Sequence, residues 1–118
     1  MTDVAYKLVD RAEWEAVPPG GAYAGSAVDL NDGYIHMSTS AQLAETARRH
    51  YAGRDDLLLV AVDLPSLGEA LKWEASRGGD LFPHLFAPLP LSAAREIRVL
   101  TVDADGIMQF RDGAAGWA

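Results

Sequence analysis

An α+β fold is the class this sequence predicts: a small domain with a mixed, mostly antiparallel sheet, two main helices and a C-terminal hairpin. Three observations predict it. About five or six segments carry the short apolar or alternating runs of strands, and only two carry helix caps followed by helical periodicity. The two kinds of element are segregated along the chain rather than strictly alternating.

Read in order, residues 6–9 form a short strand. Asp10 with Glu13 three residues later approximates a capping box. It opens a helix over 11–17 with Ala12 and Ala16 beside Trp14 and Val17 on its inner side. Pro18-Pro19-Gly20-Gly21 ends that helix. Residues 23–30 are polar, glycine-spaced and ambiguous, and Asn31-Asp32-Gly33 is a turn signal. Residues 33–38 read as a strand whose alternation puts Tyr34, His36 and Ser38 on one face and Ile35 and Met37 on the other. Thr39 and Gln42 make a second capping box and open a helix over 40–51, with Leu43, Ala44, Ala47, His50 and Tyr51 on one stripe. Gly53 stops it, and Arg48, Arg49 and Arg54 complement its C-terminal dipole.

The unbroken apolar run over 57–62 reads as a central strand covered on both faces. Residues 65–68 are a turn or a single helical turn. In 71–75, Leu71, Trp73 and Ala75 face inward, and Lys72 and Glu74 the other way. The stretch over 82–90 holds Pro83, Pro88 and Pro90. Proline removes donors, so this is a stiff apolar segment lying over the core rather than an internal strand, presenting His84 between Phe82 and Phe86. Residues 96–102 and 107–111 pair as a hairpin, and 112–118 form a loose tail.

At 118 residues the chain is expected to be one domain over 1–118, able to bury about two thirds of its unfolded surface. Hydrophobic residues make up 49% and charged residues 23%, which is globular rather than disordered composition. There is no cysteine, which excludes disulfides, thiolate metal sites and a cysteine nucleophile. A net charge of −7 argues against nucleic acid as a partner. No signal peptide is visible and no apolar run is long enough for a membrane span, so a cytoplasmic, soluble protein is expected. Phosphate-loop, dinucleotide-loop, nucleophile-elbow and zincin motifs are missing.

The chemistry-bearing residues that remain sit in apolar contexts. His36 lies mid-strand with Ser38 two residues on, Glu74 follows Trp73, and His84 is flanked by aromatics. Each also has a plain structural reading: a buried hydrogen-bonded histidine, a glutamate pairing with Lys72 or Arg77, a packed histidine tip. Tyr51 and His50 read equally as helix-end core residues. If His36, Glu74 and His84 converge, they give a small-molecule pocket with Tyr34, Trp73, Phe82 and Phe86 as aromatic walls. Imidazole and carboxylate together suit zinc or iron, but the spacings are long and irregular, so no metal is expected.

These residues also carry a resemblance. The segments are Gly33-Tyr34-Ile35-His36-Met37-Ser38, Tyr51-x-Gly53-Arg54-Asp55-Asp56-Leu57, Lys72-Trp73-Glu74 and Leu81-Phe82-Pro83-His84-Leu85-Phe86-Ala87-Pro88-Leu89-Pro90. With Tyr6-Lys7-Leu8 and Glu13-Trp14-Glu15, they resemble the bacterial domain of unknown function 952 family (DUF952) over residues 5–100. Met37 stands where many members carry cysteine. The family is similar to the ADP-ribosyltransferase-like superfamily, which implies a split sheet with a cleft and NAD as the cofactor or ligand. The resemblance implies catalytic roles for His36 at the ribose and Glu74 as the carboxylate, with Ser38 or Tyr51 assisting. Any phosphate would then need Arg48, Arg49, Arg54 and Arg77. The function expected is a small-ligand-binding domain, with ADP-ribosyl transfer as its enzymatic form. The alternatives are a noncatalytic small-molecule sensor and an interaction protein without a ligand.

Overall fold

Backbone pairing divides residues 3–111, the part this computed structural model describes, into three antiparallel sheets. In chain order the elements are β1 (Val4–Asp10), α1 (Arg11–Glu15), β2 (Ala22–Tyr23), α2 (Ala27–Asp32), β3 (Ile35–His36) and α3 (Ser40–His50). There follow β4 (Leu57–Asp63), a 3-10 segment (Leu64–Ala70), β5 (Leu71–Ala75), β6 (Leu81–Leu85), β7 (Leu89–Pro90), β8 (Ala94–Val102) and β9 (Met108–Phe110). The first sheet has the order β1-β4-β8-β9, the second pairs β2 with β7, and the third has the order β3-β6-β5. The tail over 112–118 lies outside the described residues.

β4 is the hub. Its first six residues are all buried, because both of its faces are covered. Leu58, Val60 and Val62 point to one face, where Ala5 and Val9 of β1 meet Ile35, Leu85 and Leu89. Leu57 and Leu59 point to the other, where Leu8, Leu100 and Val102 meet Leu43 and Ala47 of α3. Helix α3 therefore covers one face of the four-stranded sheet and the three-stranded sheet covers the other. The α+β class, the central strand and the β8–β9 hairpin are as the sequence predicts.

Several elements differ from expectation. Residues 23–30, ambiguous in sequence, hold a strand and a helix. Ser26 and Asp29 form a reciprocal capping box at the start of α2, and Gly33 closes it at φ 88°, a conformation that suits glycine. Helix α1 ends at Glu15, ahead of the prolines, and buries only Trp14; Ala12 and Ala16 are exposed. On α3 the buried face is Leu43 and Ala47, while Ala44 and His50 are exposed and Tyr51 is the C-cap. The strand expected over 33–38 is shared between two sheets. His36 pairs with β6, and then Ser38 bridges to Tyr6 of β1. In β5, Trp73 and Ala75 are exposed, because this strand is the edge of its sheet.

The proline-rich stretch is also corrected: β6 is the middle strand of its sheet. Pro83 is tolerated there because its backbone groups face the β3 side. Its carbonyl accepts the Met37 amide at 3.1 Å, and the β3–β6 ladder already ends at His36, so the missing N–H falls where pairing stops.

Two substitutions test this architecture. Leu59→Ala opens a cavity under β4 and is expected to cost about 3 kcal/mol, read as a lower urea midpoint with an unchanged slope. Ser26→Ala removes the α2 cap and is expected to cost about 1 kcal/mol in the same measurement.

Candidate functional site

Three sheet positions set up the site. In the register of the three-stranded sheet His36 lies opposite His84, His84 opposite Lys72, and Glu74 opposite Phe82. Cross-strand partners share a face, so His36, His84 and Glu74 stand on the same side of this sheet. Leu71, Trp73 and Leu85 occupy the other side.

His84 is buried, and its Nδ1 lies 2.8 Å from Glu74 Oε1. The ring of Tyr34 stacks on it at 4.2 Å and 28°. Tyr34 also touches His36 at 4.6 Å and Phe86 at 5.1 Å. The two imidazoles are 5.6 Å apart, edge to face. The three residues singled out for chemistry therefore do converge.

His36 belongs to a second network that the sequence reading missed. Asp29, buried in the first turn of α2, accepts His36 Nδ1 at 2.7 Å and the His36 backbone amide at 3.1 Å. It also accepts the Ser26 amide at 2.9 Å and ion-pairs with Lys7 Nζ at 3.0 Å. Lys7 is as buried as its partner, on the β1 face between Ala5 and Val9. Burial pushes the Asp29 carboxyl upward. The His36 bond, the Lys7 charge and the two backbone amides outweigh burial and hold it well below the usual carboxylate range. For Lys7 burial dominates and lowers the ammonium despite Asp29.

On its far side His36 Nε2 lies 2.9 Å from Asp32 Oδ2. Both ring nitrogens thus face carboxylate oxygens. Among the described residues, His84 has a hydrogen-bond partner at Nδ1, Glu74.

The two networks meet at a cavity of about 550 Å³ along the outer edge of β1. Strand alternation turns the backbone of Leu8 to the same side as that of Tyr6, into this cleft, where the Leu8 carbonyl accepts the Tyr51 hydroxyl at 3.2 Å. Burial raises the Tyr51 phenol. His36, His84, Ser38, Tyr51, Arg54 and Phe82 all line the cavity. Ser38 Oγ is 2.9 Å from Thr46 Oγ1 on α3. Glu74 and Tyr34 stand beside the imidazoles rather than in the wall. Trp73 is corrected outright: it lies on the opposite face of β5 and does not reach the cavity. Phe86 packs on Tyr34 and is likewise not a wall residue.

Of the arginines expected to meet a phosphate, Arg48 and Arg49 do not line the cavity. Arg48 and Arg49 both bind Glu45 on the exposed side of α3, and those bonds hold its carboxyl down at about 2. Arg54 alone of the four borders the cavity among the described side chains; it lies 3.8 Å from Asp10, with its guanidinium over the Tyr51 ring. The Arg77 side chain lies outside the described residues. Among the described residues no three histidine or acidic side chains are grouped to hold a metal ion.

Lys7, Asp29 and Asp32 are the residues that sequence reasoning passed over. A signal existed for Asp29, since Ser26-x-x-Asp29 with Gly33 four residues later is a complete helix start and stop.

A family model described as protein of unknown function (DUF952) matches residues 8–97. The chain is similar to the crystal structure of protein CC0527 from Caulobacter crescentus, with 50% identity and a TM-score of 0.84, covering 90% of this chain and 93% of that one. It is also similar to the solution NMR structure of CC0527, with 50% identity and a TM-score of 0.75, covering 87% and 89%. Among curated proteins none matches.

The Asp29 network makes a signed prediction. An unfolded aspartate titrates near pH 4 and the folded one well below. Its contribution is therefore full above about pH 5 and drains away as pH falls through 4 toward the folded value. Asp29→Asn is expected to lower stability at pH 7 by about 3 kcal/mol, because Lys7 is left buried without a counter-charge. The same variant flattens the acid limb of stability, read from urea midpoints between about pH 5 and pH 2.

Proposed function

The chain belongs to the DUF952 family of proteins of unknown function, and we propose that it binds a small polar ligand in the β1-edge cavity and handles a proton there. One observation carries this reading: a buried imidazole, His84, is oriented by Glu74 at the wall of a cavity that also holds His36. A carboxylate on Nδ1 fixes the tautomer and leaves Nε2 as the nitrogen able to accept a proton, the arrangement of a general base. His36 stands in different surroundings, with both ring nitrogens beside carboxylate oxygens. Phe82 and Tyr51 supply apolar wall, and Ser38 and Arg54 supply polar contacts, the usual composition of a small-molecule site.

A second reading, an NAD-type ligand and ADP-ribosyl transfer, is favoured by His36, Ser38, Tyr51 and Arg54 lining the same cavity. His36 and Ser38 would hold the ribose, with Glu74 acting on it through His84 rather than directly. Against it stands the charge of the wall, where, among the described side chains, Asp10, Glu13, Asp29 and Asp32 face Lys7, Arg54 and three histidines. A pyrophosphate is poorly matched to that balance.

Titration of the folded protein with millimolar nucleosides and sugars, followed in amide NMR spectra, is expected to shift Ser38, Tyr51 and Phe82 together. Shifts scattered over the surface would remove the cavity reading. Nitrogen NMR is expected to find the neutral His84 ring protonated at Nδ1, and Glu74→Gln to lose that preference while ligand shifts persist. Calorimetry with NAD separates the two readings: absence of heat at millimolar NAD ends the second and leaves the first intact.

A further inference from the structure

We propose that Lys7 is a carbonyl-reactive amine, and that the cavity takes a small aldehyde or ketone which condenses with its Nζ to a protonated Schiff base. The inference rests on the cavity reading above and adds the ligand's functional group.

Lys7 is where a fold alone would not need a lysine. Its neighbours on the same face of β1 are Ala5 and Val9, both in the apolar core. It is 4% exposed, yet it lines the cavity. Asp29 does not require it for hydrogen bonding, since two backbone amides and the His36 ring already donate to that carboxylate. A buried ion pair is often no more stabilising than apolar side chains of the same volume. An ammonium kept in such a place is well suited to chemistry.

Burial disfavours the charged form, and burial is the dominant influence on Lys7. A larger share of its amine is therefore neutral and nucleophilic than for a lysine in water. The condensation balances without another reactant. Nitrogen forms a bond to the carbonyl carbon, the carbon–oxygen bond breaks, and two of the three ammonium hydrogens leave with that oxygen as water. The positive charge stays on the same nitrogen. Asp29, 3.0 Å from Nζ, therefore meets a cation before and after the reaction, and no buried charge is left unpaired.

The chain contains just two lysines, Lys7 and Lys72, and Lys72 is exposed on β5, which provides an internal control. The folded protein is incubated at pH 7 with propionaldehyde and sodium cyanoborohydride, which reduces iminium to a stable secondary amine, and the adducts are mapped by peptide mass spectrometry. The expected result is labelling of Lys7 about tenfold faster than Lys72, saturating with aldehyde concentration at Lys7 and linear at Lys72. Labelling of Lys72 and the N-terminal amine, with Lys7 reacting only after unfolding in urea, would overturn the proposal. Amide NMR with propanol, which cannot condense, tests the cavity separately. Shifts at Ser38 and Phe82 without a Lys7 adduct overturn the amine chemistry and retain the cavity; neither shifts nor adduct overturns both.

Discussion

The Asp29 carboxylate is the interaction on which the rest of the site depends. It joins three elements: the start of α2, the backbone and ring of His36 in β3, and Lys7 in β1. A carboxylate buried this far is tolerable only when its acceptor sites are filled, and here two backbone amides, a ring nitrogen and an ammonium fill them. The arrangement is mutual. Without Asp29, Lys7 is an isolated charge in an apolar layer and His36 loses the bond that orients its ring.

The cavity follows from the topology around this carboxylate. The chain leaves β6 after His36 and crosses to β1 at Ser38, so neither sheet is completed. Beyond its bridge at Tyr6, the outer edge of β1 has no partner strand among the described residues. An open strand edge is a liability that folds usually cover. This one is covered partly by Tyr51, which bonds the Leu8 carbonyl, and by α2 and α3 on either side, with the cavity left between them.

Charge is distributed to match. Of the basic residues expected to serve a phosphate, Arg48 and Arg49 pair with Glu45 on the exposed side of α3 and do not line the cavity. The carboxylates, by contrast, gather on the wall. Among the described residues, Asp10, Glu13, Asp29 and Asp32 line it.

Local signals by themselves determined the α+β class, the central strand over 57–62, the start of α3 and the C-terminal hairpin. Each is written in short-range patterns: an unbroken apolar run, a Thr39 and Gln42 cap, a turn between two strands. The candidate trio His36, Glu74 and His84 was legible because each is polar in an apolar segment. Tertiary structure alone decided that they share one sheet face, since register between β3, β6 and β5 is set by packing and not by any local motif. It also decided that Trp73 points away, and that a proline-bearing segment can be a middle strand when its neighbour ends one residue early. Lys7 and Asp29 were hidden for the same reason. Their meaning is a 3.0 Å pair between residues far apart in the chain, and a buried charge reveals itself only when the partner that makes it tolerable is beside it.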